Sequence, residues 1–196
     1  MRRAPPLRGL GRDQSGATIV EFALILPVMC ILLLGVIDLG YRSYVTSIVQ
    51  GALHEAARMA TVGGVTTAQI ETHVQNRLRE FSHEAVIATD TRSYSDFNNV
   101  NVPEAITQDT APLGAYNPGD CYADANTNGT YDLDRGKGGM GGAEDVVWFE
   151  VRMNYPRIVP IGSFLGWSDD IEIVQNTVLR NQPFAGRNTG VTIRCS

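Results

Sequence analysis

The chain has 196 residues, a formal net charge of −5 and 43% hydrophobic residues. That length allows one membrane helix and one folded domain of ordinary size, and the hydrophobic content is high enough for a packed core. The acidic balance argues against nucleic acid or anionic lipid as a partner. The sequence contains no Gly-x-Ser-x-Gly, phosphate-loop or His-Glu-x-x-His pattern, so neither an enzyme nor a small-molecule substrate is predicted.

The N-terminal part contains one apolar run from Ala17 to Ile37, 21 residues in which Glu21 is the only charge. As a helix this run would measure roughly 31 Å, close to the hydrocarbon thickness of a bilayer. Residues 1–16 hold four arginines and one aspartate, a bias that keeps the N-terminus in the cytoplasm. We therefore expect a cytoplasmic leader, a single transmembrane segment, and a periplasmic domain formed by residues 38–196.

The junction between leader and helix has two interpretations, of which the first is a plain signal anchor. A secretory signal fits poorly, because the apolar part of such a signal should span only about 7–15 residues. In the other, the leader ends at Gly16, the helix starts at Ala17, and Glu21 stands fifth after the cut, as in a class III signal. This arrangement resembles type IV prepilins. The longer pattern Gly-Ala-x-x-Val-Glu-Phe-Ala-Leu-x-x-Pro, residues 16–27, resembles the TadE-like pseudopilins of Tad (tight adherence) pili.

The resemblance implies a minor pseudopilin of the Tad/Flp pilus in the bacterial inner membrane. It implies that a prepilin peptidase cuts after Gly16, and that the new Ala17 amine neutralises Glu21 of a neighbouring subunit. Other pilins, pseudopilins and the pilus assembly machinery are then the expected partners. Two further strings are similar to the same family, Ala-Ala-Arg-x-Ala at 56–60 and Arg-Asn-Gln-Pro-Phe at 180–184.

The helix is predicted to continue beyond the membrane. Apolar residues recur at three- and four-residue spacing as far as Ala60, and Gly63-Gly64 supplies a stop. Thr66 and Gln69 form a capping-box pattern, which predicts a second amphipathic helix that runs to about Ala88.

The second half of the chain predicts β-structure after a long loop. Residues 89–142 are polar and rich in Asn, Asp and Gly, with one short strand around 99–102. Alternating apolar residues predict strands at 145–155 and 171–179. The apolar stretch 158–167 between them is either a core loop or a membrane-touching surface patch. The predicted fold is α+β and pilin-like: a long N-terminal helix packed on a small, mainly antiparallel sheet, with a second helix and a long loop.

Within that loop, residues 120–145 contain a candidate calcium site. Oxygen-bearing residues alternate as in an EF-hand, and Gly129 at the sixth position allows the sharp turn. Arg135 stands where an EF-hand has its bidentate carboxylate, so either Asp134 would substitute, or Glu144 or Asp145 would reach over the Gly136–Gly142 turn instead. An Asx-rich turn without a metal is the alternative. The predicted ligands of a structural Ca²⁺ are Asp124, Asn126, Asn128, Thr130, Asp132 and Asp134.

Cys121 and Cys195 both fall in the part that is predicted to be exported, where oxidation is permitted. A disulfide between them is expected and would close a loop of about 75 residues, provided that the fold brings them together. If the leader is never cut, the alternative function is a membrane-anchored periplasmic calcium-binding scaffold or adhesion module.

Overall fold

The computed structural model describes residues 16–62, 64–159, 162, 166–182 and 190–195. The chain divides into two compact units, which we describe separately. Unit one comprises Met1–Ser43 and Arg157–Asp169, and unit two comprises Tyr44–Pro156 and Asp170–Ser196. The predictions for the leader before Gly16, for Gly63 and for Pro183-Phe184 lie outside the described residues.

The first helix, α1, spans Ala17–Val62, so it begins at the predicted residue and is 46 residues long. Its apolar part carries large exposed side chains from Ile19 to Ile37. By length and composition, this helix is a candidate membrane span, with a mean hydropathy of 2.7 in its most apolar window.

The second helix, α2, spans Thr67–Phe81 and has the predicted capping box. The backbone N–H of Thr66 donates to Gln69 Oε1 at 2.8 Å, and the Thr66 hydroxyl accepts from Gln69 N at 3.3 Å. The predicted extension to Ala88 is wrong, because Ser82 takes an extended conformation and a strand starts four residues later.

The described residues of unit two form seven strands: β1 Val86–Tyr94, β2 Ile106–Gln108, β3 Cys121–Asp124, β4 Lys137–Gly138, β5 Val146–Pro156, β6 Asp170–Arg180 and β7 Thr192–Cys195. They make two antiparallel sheets, with orders β4-β1-β5-β6 and β2-β3-β7. The strands β5 and β6 confirm the two predicted from alternation. The stretch 89–142 is not all loop, since it holds most of β1 and all of β2, β3 and β4.

The short strand predicted around 99–102 is wrong. Phe97–Asn99 forms a 3-10 turn capped by Asp96, and Asn101 has a φ of 55°, which is incompatible with an extended strand.

The core of unit two lies between the helices and the larger sheet. Val45, Val49 and Leu53 on α1 are buried, and small buried residues follow them on the same face of the helix. A partly open apolar pocket is lined by Ala56, Ala57 and Ala60 of α1, Ile70 of α2, Val147 and Phe149 of β5 and four further residues. The alanines at 56, 57 and 60 thus face residues of the sheet of their own chain across this pocket. These helices and antiparallel sheets confirm the α+β fold.

Candidate functional site

The junction at the start of α1 carries the first set of predicted site residues. The Gly16 carbonyl accepts a hydrogen bond from Val20 N at 3.2 Å, so helical hydrogen bonding begins at the Gly16-Ala17 peptide. Glu21 follows about one turn later, and its side chain is exposed. Its neighbours are also exposed but apolar: Val20 is 60% exposed and Phe22 58%. A carboxylate therefore lies on an otherwise apolar helix surface.

The predicted calcium loop begins where β3 ends. Asp124 is fully buried, and its Oδ2 accepts hydrogen bonds from Gly129 N at 3.1 Å and Arg194 Nε at 2.5 Å. Gly129 has a φ of 84°, the left-handed conformation that glycine adopts at low cost. The other oxygen, Asp124 Oδ1, is buried and has no hydrogen-bond partner in the described part of the chain.

The following residues fold back on Asp132. The side-chain amides of Asn126 and Asn128 both donate to Asp132 Oδ2, at 2.7 and 2.5 Å. Asn126 Oδ1 accepts from Asn128 N at 3.1 Å, and Asn128 Oδ1 accepts from Thr130 N at 2.8 Å. These are successive Asx turns. The structure therefore brings Asp124, Asn126, Asn128, Thr130 and Asp132 into one turn.

Asp134 is not part of that turn. Its Oδ2 accepts hydrogen bonds from Arg92 and from the Tyr94 hydroxyl, the latter at 3.0 Å. Burial and the nearby Asp134 carboxylate raise the pKa of Tyr94 to about 12, so the phenol stays protonated and donates. Arg135, at the twelfth position, donates instead to Asn99 Oδ1 at 3.1 Å.

Sequence reasoning missed Glu104, which is 2% exposed. Its Oε1 accepts from Ala125 N at 2.8 Å, and its Oε2 accepts from Asp132 N at 3.3 Å. Burial raises the pKa of Glu104 although these N–H groups oppose the shift. No spacing rule links this residue to the loop, because it lies before β2 and reaches the turn only through the fold.

Arg194 also escaped the sequence reasoning. It reaches Asp124 because β7 pairs with β3, where Cys121 lies opposite Cys195 and Tyr122 opposite Arg194. A disulfide joins the two cysteines. It ties the C-terminal strand to the strand that presents Asp124.

The donor set fits a hard cation in part. Glu104, Asp124 and Asp132 contribute three carboxylates around this turn and Arg194 one guanidinium, an excess of two negative charges. The unpaired Asp124 Oδ1 and the side-chain oxygens of Asn126 and Asn128 are of the type that Ca²⁺ prefers, although both Asn oxygens accept backbone hydrogen bonds here. Within the described ranges, no three acidic, His or Cys side chains converge as a ready metal centre.

The sequence of α1 matches a known family. Residues 16–58 match the sequence model of the family described as TadE-like protein, and the match starts at Gly16. Comparison with curated proteins and with solved structures gives no match. The resemblance noted in the sequence is confirmed over this helix: residues 16–58 are similar to TadE-like proteins, and this matched segment indicates involvement in Tad pilus assembly.

Proposed function

We propose that this chain is a minor pseudopilin that enters the Tad/Flp pilus assembly system after a prepilin peptidase removes residues 1–16. The observation that carries the proposal is the TadE-like match, which starts at Gly16, directly before the first residue of α1. The apolar half of α1 then anchors the protein in the inner membrane. The domain after Ile37 lies in the periplasm.

Cleavage after Gly16 would create a charged amine on Ala17, at the start of a helix. A positive charge there is unfavourable, because the helix N-terminus already carries a partial positive charge. Glu21 is an exposed carboxylate on the same apolar surface, and it is costly in hydrocarbon without a partner. Pairing the Ala17 amine of one subunit with Glu21 of the next removes both penalties at once. The pair thereby aligns neighbouring helices during assembly.

The test is the mass of the N-terminus of protein recovered from membranes, with and without a prepilin peptidase. A mature start at Ala17 that requires the peptidase supports the proposal. An unprocessed N-terminus in both samples overturns it and favours the uncleaved calcium-binding scaffold or adhesion module. Replacing Gly16 by a bulkier residue should block the cut, while the same change at Gly35 should leave it intact.

We also propose that Ca²⁺ stabilises the turn, with Asp124, Asn126, Asn128, Asp132 and the Thr130 carbonyl as ligands. The buried, unpaired Asp124 Oδ1 favours this assignment. The bound ion would neutralise the local excess of negative charge and hold the turn closed. Its role is structural, because an ion that binds only the folded state adds stability by mass action, about 2.7 kcal/mol at a hundredfold excess over Kd.

The calcium proposal predicts a calcium-dependent rise in the unfolding temperature of the full chain in detergent, reversed by a chelator. Asp132→Asn should abolish the rise. Asp134→Asn should retain it, because Asp134 is bound to Arg92 and Tyr94 outside the turn. A temperature that is identical with calcium and with chelator overturns the proposal.

A further inference from the structure

Unit one joins the β5–β6 loop, residues 157–169, to the end of the apolar run. Asp38 is the first residue after that run, and it is 5% exposed. Its Oδ2 accepts a hydrogen bond from an Arg157 guanidinium nitrogen, and the side chain of Arg157 is only 14% exposed. A buried ion pair between residues 119 positions apart thus fixes the loop at this level of the helix.

The same arginine organises the loop itself. Arg157 Nε donates to the Ser168 carbonyl at 2.7 Å, and Arg157 N donates to the Asp169 carbonyl at 2.8 Å. Its guanidinium carbon lies 5.3 Å from the centroid of the Trp167 ring, a cation–π distance. Trp167 therefore lies one side chain away from Asp38, the first residue after the apolar run.

The loop nevertheless presents apolar side chains outwards. Ile158 is 61% exposed and Trp167 is 47% exposed. The sequence between them, Val159–Gly166, contains no charged residue. Large apolar side chains left in water beside a helix that is itself apolar and exposed indicate a surface with an apolar partner.

We propose that the described ends of the β5–β6 loop, residues 157–159 and 166–169, lie in the headgroup region of the bilayer, with Trp167 and Ile158 in contact with lipid. This inference rests on the proposed membrane anchoring of α1. A bilayer is favoured over a protein partner because Arg157, which contacts Trp167, is bound to Asp38, the first residue after the exposed apolar run of the proposed membrane anchor. Trp is enriched at that depth, where its apolar ring and its N–H group are both satisfied.

The charges of the loop suit this depth. Arg157 and Asp38 neutralise each other, so neither carries an unpaired charge towards the lipid. Asp169 at the end of the loop and Asp170 at the start of β6 disfavour an anionic surface, so a zwitterionic lipid is the matching partner.

The test uses the full chain in phosphatidylcholine vesicles that carry a nitroxide either near the glycerol end or near the methyl end of the acyl chain. The chain has two tryptophans, so Trp148→Phe leaves Trp167 as the only emitter, and Trp167→Phe leaves Trp148. Cys30 is the free cysteine on α1, and a fluorescent dye on it reports the depth of the helix separately. Nitroxides in both leaflets make the readout independent of the orientation of insertion.

We expect the shallow nitroxide to remove at least about half of the Trp167 emission, since interfacial side chains sit about 5–10 Å into the headgroup and acyl boundary. Trp148 should be quenched little, because it lies under Arg92, which also pairs with Asp90 and Asp134. Asp38→Asn should reduce the quenching of Trp167 and leave the Cys30 dye unchanged. If Trp148→Phe misfolds, the difference between the unmodified chain and Trp167→Phe isolates Trp167.

Two results overturn the inference and are distinguishable. If the deep nitroxide quenches the Cys30 dye while Trp167 stays unquenched, the helix is anchored and the loop is in water or against protein. If neither is quenched, the membrane anchoring itself fails, and the inference falls with it.

Discussion

The carboxylate of Glu104 accepts a hydrogen bond from the backbone N–H of Asp132, 28 positions further along the chain. Its second oxygen accepts from Ala125 N. One buried side chain therefore joins the two ends of the turn in which the candidate calcium ligands lie. Backbone N–H groups in this position need an acceptor, because unpaired buried donors are costly.

Removing that carboxylate should destabilise the protein. We expect Glu104→Ala to lower the free energy of unfolding by roughly 1–3 kcal/mol, because two backbone donors lose their acceptor. Urea unfolding of the full chain in detergent measures the change. Glu84→Ala is the matched control, since Glu84 is exposed and should change little. Equal stabilities of the two variants would contradict the role given to Glu104.

A glycine beside Tyr94 provides a steric test of where Asp134 is held. A Cβ at Gly136 would lie 2.8 Å from the Tyr94 hydroxyl oxygen, whereas a Cβ at Gly138 would meet nothing within 4 Å. We expect Gly136→Ala to cost about 1–3 kcal/mol, as overpacking does, because Tyr94 must move and release Asp134. Gly138→Ala should unfold like the unmodified chain. Thermal unfolding compares them, and indistinguishable variants would show that Tyr94 does not close this space.

The helices and the two late strands were predictable because their signals are local. The capping box of Thr66 and Gln69 lies within four residues, and the alternation in β5 lies within eleven. Strand β1 was missed because its buried face includes Thr91 and Ser93, small polar residues that no hydrophobic period marks. It is a strand because β5 pairs with its full length, and Thr91 Oγ1 donates to Glu71 Oε1 at 3.2 Å.

The residues of the candidate calcium turn were also only partly predictable. The spacing of its Asp and Asn residues predicted the turn, whereas Glu104 and Arg194 reach it only because β3 pairs with β2 and β7. Asp134 was predicted as a substitute for the missing carboxylate at the twelfth position, but it accepts hydrogen bonds from Arg92 and Tyr94, two residues of the unpredicted strand. A ligand pattern in the sequence cannot show which other side chains will bind a candidate ligand, because only the fold brings those side chains close to it.

Asp120 should make stability depend on acidity. Hydrogen bonds from the Thr110 hydroxyl and from the backbone N–H groups of Thr110 and Asn117 lower its pKa, and burial opposes them. The folded pKa is thus below the unfolded value of about 3.9, so the stabilisation is present above that pH and is lost as the pH falls through the folded pKa. The stability difference between the unmodified chain and Asp120→Asn should therefore shrink below about pH 4. A difference that stays constant with pH would contradict this.

Glu21 should matter for assembly and not for export. Glu21→Gln keeps the shape of the side chain and removes the charge that the Ala17 amine of a neighbouring subunit would pair with, so we expect loss of incorporation into pili. Export is scored by formation of the Cys121–Cys195 disulfide on a non-reducing gel, because that bond requires an oxidising compartment. The matched control is Glu55→Gln, an exposed carboxylate later on the same helix. Normal incorporation of Glu21→Gln into pili would contradict the prediction. It would show that the Glu21 charge has no partner in a neighbouring subunit, where an unpaired carboxylate in hydrocarbon could only destabilise the assembly.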